Sequence, residues 1–156
     1  MLKTVTEILK ARNFINVATC DGKGKPNGVS KLIVKIDCKM LYLVDYSIGR
    51  TYANLKVNPY MSLCFFDVEG LKGYQINGPV EIIEEGPVYD EMASHLSAKE
   101  ISLATERVIR GMTRGKAHGE YEMGKAKKFV FFKIRMDEIA EIGYHGDIRR
   151  DSTSAV

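Results

Sequence analysis

The 156-residue chain has no long apolar run, no close pair of cysteines and almost no net charge. A helix that crosses a bilayer needs about 20 mostly apolar residues in succession, so a helical membrane protein is excluded. The opening decapeptide MLKTVTEILK lacks the continuous hydrophobic segment of a secretory signal, and a cytoplasmic location is expected. Cys20, Cys38 and Cys64 are odd in number and widely spaced, which argues for reduced, buried thiols and against a disulfide framework. Without a paired Cys or His–Cys motif, neither a zinc nor an iron–sulfur site is expected, and the metal prediction is none. The formal charge of +3 is too weak a bias to specify nucleic acid or an anionic membrane.

What is present is ordinary globular material: 45% hydrophobic and 28% charged residues, enough for one domain with a substantial core. Residues 40–59, MLYLVDYSIGRTYANLKVNP, organise the rest. Apolar residues around Tyr42 favour a strand. After it, Ser47 can cap a helix on which Ile48, Tyr52 and Leu55 share a face. Asn58-Pro59 ends that helix, because Pro59 has no amide hydrogen and pushes Asn58 out of the helical region. The first turn then carries Arg50 and Thr51. Two readings stand open there: the helix N-terminus, the guanidinium and the hydroxyl hold an anion such as a phosphate monoester, or Ser47 satisfies the amides and Arg50 is solvated.

On either side of this stretch the chain alternates. A capping box at residues 4–7 predicts a short amphipathic helix with Val5, Ile8 and Leu9 on one face. Residues 14–20 read as a strand, and residues 21–26, DGKGKP, as a hairpin turn. Gly22 and Gly24 lack the spacing of a dinucleotide fingerprint. In the strand at 29–36, Ser30, Leu32, Val34 and Ile36 are expected in the core, with Lys31 and Lys35 projecting the other way. Lys31 is then either solvated or placed to meet an anionic cofactor.

After Pro59, MSLCFFD and residues 72–83 supply two further strands, the second bent near Gly78-Pro79. Within it, Gln75 and Asn77 could meet a heteroaromatic ring or simply mark a polar edge. From Pro87, helical spacing returns, and a second capping-box match at residues 97–100 predicts two short helices. His95 has no partner histidine at ligand spacing. Arg107, Arg110, Arg114 and Lys116 form a basic patch whose later portion, with Gly111 and Gly115, is turn-like; no RNA-binding module accompanies it. Residues 125–136 form the last strand, with Phe129, Phe131 and Lys133 opposite Val130, Phe132, Ile134 and Met136. Ile139 and Ile142 extend the packing, and residues 147–156 read as a loose, polar tail.

Six extended segments with a crossing helix after the third and a late helical insertion suit a closed antiparallel barrel. The ordered pattern over roughly residues 2–142 resembles the FMN-binding split β-barrel family that includes pyridoxamine 5′-phosphate oxidases and flavin-dependent oxidoreductases. The residues that carry the resemblance are FINVAT at 14–19, GKPN at 24–27, VSK at 29–31, GRT at 49–51, ANL at 53–55 and Asn58-Pro59. The likeness implies a mainly β, six-stranded antiparallel split β-barrel over residues 1–146, with residues 147–156 as a flexible tail. It also implies FMN as cofactor: Arg50 and Thr51 on the phosphate, Ser30, Lys31 and Asp45, Tyr46 and Ser47 along the isoalloxazine or ribityl portion, and Gln75 reaching the flavin across a homodimer. Flavin carries hydride or electrons itself, so no catalytic side chain is assigned. Arg149-Arg150-Asp151-Ser152 does not match the C-terminal arginine segment of true pyridoxamine phosphate oxidases. The expectation is an FMN-dependent oxidoreductase acting on an unidentified small molecule, with two alternatives: a noncatalytic FMN-binding or electron-transfer protein, and a structural barrel without cofactor.

Overall fold

Short apolar segments, each separated by a turn or a helix, pair edge to edge until the sheet meets itself. The computed structural model describes residues 1–113 and 128–153. These residues form α1 (Leu2–Lys10), β1 (Phe14–Cys20), β2 (Pro26–Asp37), β3 (Met40–Asp45), α2 (Arg50–Val57), β4 (Tyr60–Asp67), β5 (Lys72–Ile83), α3 (Pro87–Thr113), β6 (Val130–Arg135), β7 (Glu138–Ile142) and β8 (Ile148–Ser152). The strands lie in the order β4-β1-β2-β3-β6-β5-β7-β8, and β4 also pairs with β5. Six antiparallel strands therefore close into a barrel, as expected, and β7 and β8 are added outside it.

The twelve-residue β5 serves three neighbours. Along one edge Lys72–Pro79 pair with β4; along the other, Gly73–Asn77 pair with β7 and Val80–Ile83 with β6. Gly78 lies between those last two stretches, and a Cβ there would stand 1.7 Å from the Arg135 carbonyl oxygen. Only glycine lets the chain leave β6 and enter β7 against an unbroken β5.

Two cores explain why both parities of β2, β3 and β6 are apolar. Inside the barrel, Ile15, Val17, Ile33, Leu41, Leu43, Phe132 and Ile134 pack with Val5 and Leu9 of α1 and Leu55 of α2. On the outer surface, Leu32, Val34, Tyr42, Val44 and Phe131 are covered by Met92 and Leu96 of α3. The alternation expected for residues 129–136 holds, with Phe131 outside and Val130, Phe132, Ile134 and Met136 within. For β2 the faces differ from the sequence pattern. Leu32 and Val34 belong to the outer core and Ile33 to the interior, and a register shift between Ile33 and Lys35 brings Ile36 against the interior. Lys31, expected to project outward, is buried.

Local signals were overridden in several places. α1 begins at Leu2 with no side-chain cap, and Thr6 bonds back to the Leu2 carbonyl, so the 4–7 box lies within the helix. α3 is one 27-residue helix instead of two short ones: Ser97 and Glu100 sit in its interior, and nothing between them breaks it. Gly111 also lies within α3, while Gly115, Arg114 and Lys116 fall outside the described residues. Cys38 and Cys64 are exposed and Cys20 half-buried, against the expectation of buried thiols. Residues 148–152, expected to be loose, pair with β7 as β8, and Thr153 bonds to the Met136 and Asp137 carbonyls.

Candidate functional site

The turn between β3 and α2 gathers most of the polar residues singled out by the sequence. It leaves the sheet at Asp45 and enters α2 through Ile48, a non-glycine residue at φ 43°, and Gly49. Among the described residues no side chain caps α2. Ser47 does not act as the cap; its hydroxyl donates to Asp45 Oδ1 at 2.8 Å and its amide to the same oxygen at 3.3 Å. The first intrahelical bond runs from Ala53 N–H to the Gly49 carbonyl at 3.0 Å, and earlier amides of the turn have no acceptor within the helix.

Around those amides stand Arg50, exposed on the first turn, and Thr51, which is buried. Asn27 Nδ2 donates to Thr51 Oγ1 at 3.2 Å, so the Thr51 hydroxyl hydrogen can be directed elsewhere. One turn later Asn54 Nδ2 donates to Thr19 Oγ1 at 3.1 Å and fixes the helix to β1. Asn27 and Asn54 carried no sequence signal for these roles, since both bonds cross from one hairpin to a helix far along the chain. Uncapped amides, a guanidinium and a hydroxyl make a group suited to an oxyanion, and phosphate in particular.

Lys31 and Asp45 face each other behind the turn. Lys31 Nζ lies 2.5 Å from Asp45 Oδ1, with Lys31 only 8% exposed and Asp45 not at all. Asp45 Oδ1 thus receives Lys31 and both Ser47 donors, while Oδ2 is buried with no hydrogen-bond partner among the described residues. Tyr46 turns the other way. Its hydroxyl donates to Glu100 of α3 and its ring meets Phe129 edge-on at 6.1 Å, and burial, then the Glu100 carboxylate, pushes its pKa up.

Ser30 and Gln75 are not part of this group. They sit on the outer face of the sheet, in a single row Ser30-Asn16-Cys64-Gln75 that crosses β2, β1, β4 and β5. Three strand spacings, roughly 14 Å, separate its ends. Ser30 Oγ donates to Asn16 Oδ1 at 2.8 Å and Gln75 Nε2 to Ser62 Oγ at 3.2 Å. Two residues further along β1 and β4, Phe14 and Phe66 are 56% and 51% exposed, an unusual pair of phenylalanines for a solvated surface.

The remaining candidates stand apart. His95 is on the exposed side of α3, 3.7 Å from Glu91, and His145 packs against Tyr144 in the β7–β8 turn. Arg107 and Arg110 line a cleft of about 310 Å³ with Asn13, Phe14, Leu103 and Glu106. Among the described residues no helix is long and apolar enough to cross a membrane.

A closed six-stranded barrel with a helix crossing after its third strand is now matched by a family model, that of pyridoxamine 5′-phosphate oxidase, over residues 1–143. The chain belongs to the pyridoxamine 5′-phosphate oxidase family. Solved structures share the fold at low identity. A protein from Clostridium acetobutylicum, related to general stress protein 26 of B. subtilis, is 18% identical at a TM-score of 0.65, covering 97% of this chain and 94% of that one. An FMN-binding, pyridoxamine 5′-phosphate oxidase-related protein from Nostoc punctiforme is 11% identical at 0.54, with coverages of 96% and 91%. HutZ, the heme storage protein of Vibrio cholerae, is 16% identical at 0.56, with coverages of 86% and 88%. No curated protein matched the chain. At these identities the structural likeness speaks to fold alone, and of the proteins that share it one is described as FMN-binding and another as a heme storage protein.

Proposed function

We propose that this member of the pyridoxamine 5′-phosphate oxidase family binds FMN with the phosphate at the N-terminus of α2, and passes reducing equivalents between it and a small molecule. The observation that carries the proposal is the uncapped first turn of α2, with Arg50 exposed on it and the Thr51 hydroxyl held by Asn27. These groups fit a phosphate monoester: amides and hydroxyl donate, and the guanidinium adds charge-assisted bonds. Flavin supplies the redox chemistry when bound, and the chain supplies binding and orientation. Arg50 and Thr51 hold the phosphate; the Ser47–Gly49 turn sets the direction of the amides.

The proposed assembly is a homodimer acting in the cytoplasm. The exposed rings of Phe14 and Phe66 support it, because a second copy seated on them would bury both and bring its own Gln75 toward the flavin. A nicotinamide donor is not part of the proposal. The second reading is a noncatalytic flavin-binding or electron-transfer protein. It is favoured by the way Lys31 and Asp45 are spent on each other, which leaves the turn without a free acid–base pair.

Flavin titration of wild type and R50A tests the proposal. Charge-assisted hydrogen bonds contribute about 1.5–3 kcal/mol, so R50A should weaken FMN binding about 10- to 100-fold while its circular dichroism stays native. Equal affinity in the two proteins overturns the phosphate role of Arg50. Repeated substrate-dependent flavin reduction and reoxidation in stopped flow separates enzyme from carrier.

A further inference from the structure

The buried ion pair behind the α2 turn is unusual for its place. Lys31 and Asp45 are cross-strand neighbours at the end of a mostly apolar barrel interior, and the pair is nearly inaccessible to solvent. Removing both charges from water costs much of what their attraction returns, so such a pair is poor support for a fold, and well-packed apolar residues often replace it at no loss. Half of the Asp45 acceptor capacity is unused, because Oδ2 meets no donor among the described residues.

What Asp45 Oδ1 does hold is the turn. It accepts from the Ser47 hydroxyl and amide, immediately ahead of Ile48, whose φ of 43° is costly for a β-branched residue. The turn is anchored on two further sides, by Tyr46 to Glu100 of α3 and by Ile48 against the barrel interior. Such conformations persist where surrounding contacts over-determine them, and they cluster at ligand sites. Here the strained residue is the last one before Gly49 and the amides of α2.

We propose that Lys31 and Asp45 are positioning residues: the buried pair fixes the Ser47–Gly49 turn so that the amides of α2 converge on a phosphate, and it is retained for that geometry. This rests on the FMN reading above. Lys31 holds the Asp45 carboxylate in place and Asp45 holds Ser47; neither touches the ligand.

The test uses the full chain as wild type, K31M/D45L and K31M/D45N, with thermal unfolding and fluorescence titrations of FMN and of riboflavin, which lacks the phosphate. K31M/D45L should unfold at or above the wild-type temperature, lose about tenfold or more in FMN affinity, and bind riboflavin within about threefold of wild type. K31M/D45N keeps an oxygen acceptor for Ser47 without the ammonium that holds it in place and should regain only part of the FMN affinity; full recovery overturns the role of Lys31. A folded K31M/D45L that binds FMN like wild type overturns the proposal, as does an equal loss for FMN and riboflavin. A K31M/D45L that fails to fold also overturns it, since the pair would then serve stability. Wild type that binds no flavin removes the FMN reading and this inference together, whereas the other failures remove this inference alone.

Discussion

Gly78 is the residue at which one methyl group decides whether the barrel and its extension can coexist. A Cβ there would meet the Arg135 carbonyl oxygen at 1.7 Å and the Arg135 carbonyl carbon at 2.9 Å, both backbone atoms that cannot swing away as a side chain does. Gly78→Ala should therefore cost about 3 kcal/mol, at the upper end of overpacking changes, and chemical denaturation of the purified variant measures it. Gly24 and Gly86 have nothing near a built Cβ and owe their identity to positive φ alone. At this scale the sequence was legible where a residue's chemistry is local. Arg50 and Thr51 could be placed on a first helical turn from the strand before them and the Asn58-Pro59 stop after them, and the structure puts them there. Lys31 could not be read: an alternating strand with one polar face predicts an outward lysine, and its burial depends on Asp45 arriving opposite it from another strand. The Ser47 cap failed for the same reason, because Asp45 competes for its hydroxyl.

Among the elements, α3 shows how a local signal yields to its context. Residues 97–100 match a capping box, yet a helix already running through them offers no free amides to cap, so Ser97 and Glu100 become interior positions. This helix is ~40 Å long at 1.5 Å per residue; Met92 and Leu96 are buried against the sheet, while Ile101, Ile109 and Met112 further along it are exposed. The β7 strand depends on electrostatics more visibly. Glu141 is held below its usual pKa of 4.5, first by Lys72 at 2.9 Å and further by the Tyr74 hydroxyl, with burial opposing. A depressed carboxylate contributes stability that is present at neutral pH and lost as the pH falls through its folded-state pKa. Hydrogen exchange of the β7 amides should therefore accelerate relative to those of β3 as the pH falls below about 4.5, after correction for intrinsic exchange, and K72M should remove most of the difference. The pair is partly exposed, so the contribution is modest and should shrink in high salt. β7 and β8 were hard to foresee because each is only five residues, and β8 carries Arg149, Arg150, Asp151 and Ser152 in place of an apolar face.

For the molecule as a whole, the order of segments was more informative than any single motif. Six extended stretches with a helix after the third predict closure, and closure follows from the return pairing of β4 with β5. Which face of the sheet stays exposed was not legible, since it depends on α3 packing over β2, β3 and β6, which leaves Phe14 and Phe66 exposed. The proposed homodimer would use that face, and Phe66→Glu tests it. Loss of a central aromatic contact of this kind weakens association by about 2 kcal/mol or more, so sedimentation should show the variant as a monomer at concentrations where wild type pairs. A wild type that remains monomeric at every concentration would refute the assembly.

The outermost strand, β8, ends the sheet with a rim that is mostly charged, Arg149, Arg150 and Asp151 occupying three of its five positions. Backbone donors and acceptors along such a border invite lateral growth, and charged side chains make stacking another chain there unfavourable. The consequence is directional: copies of this protein are discouraged from lengthening the sheet into filaments and are left to meet through their flanks.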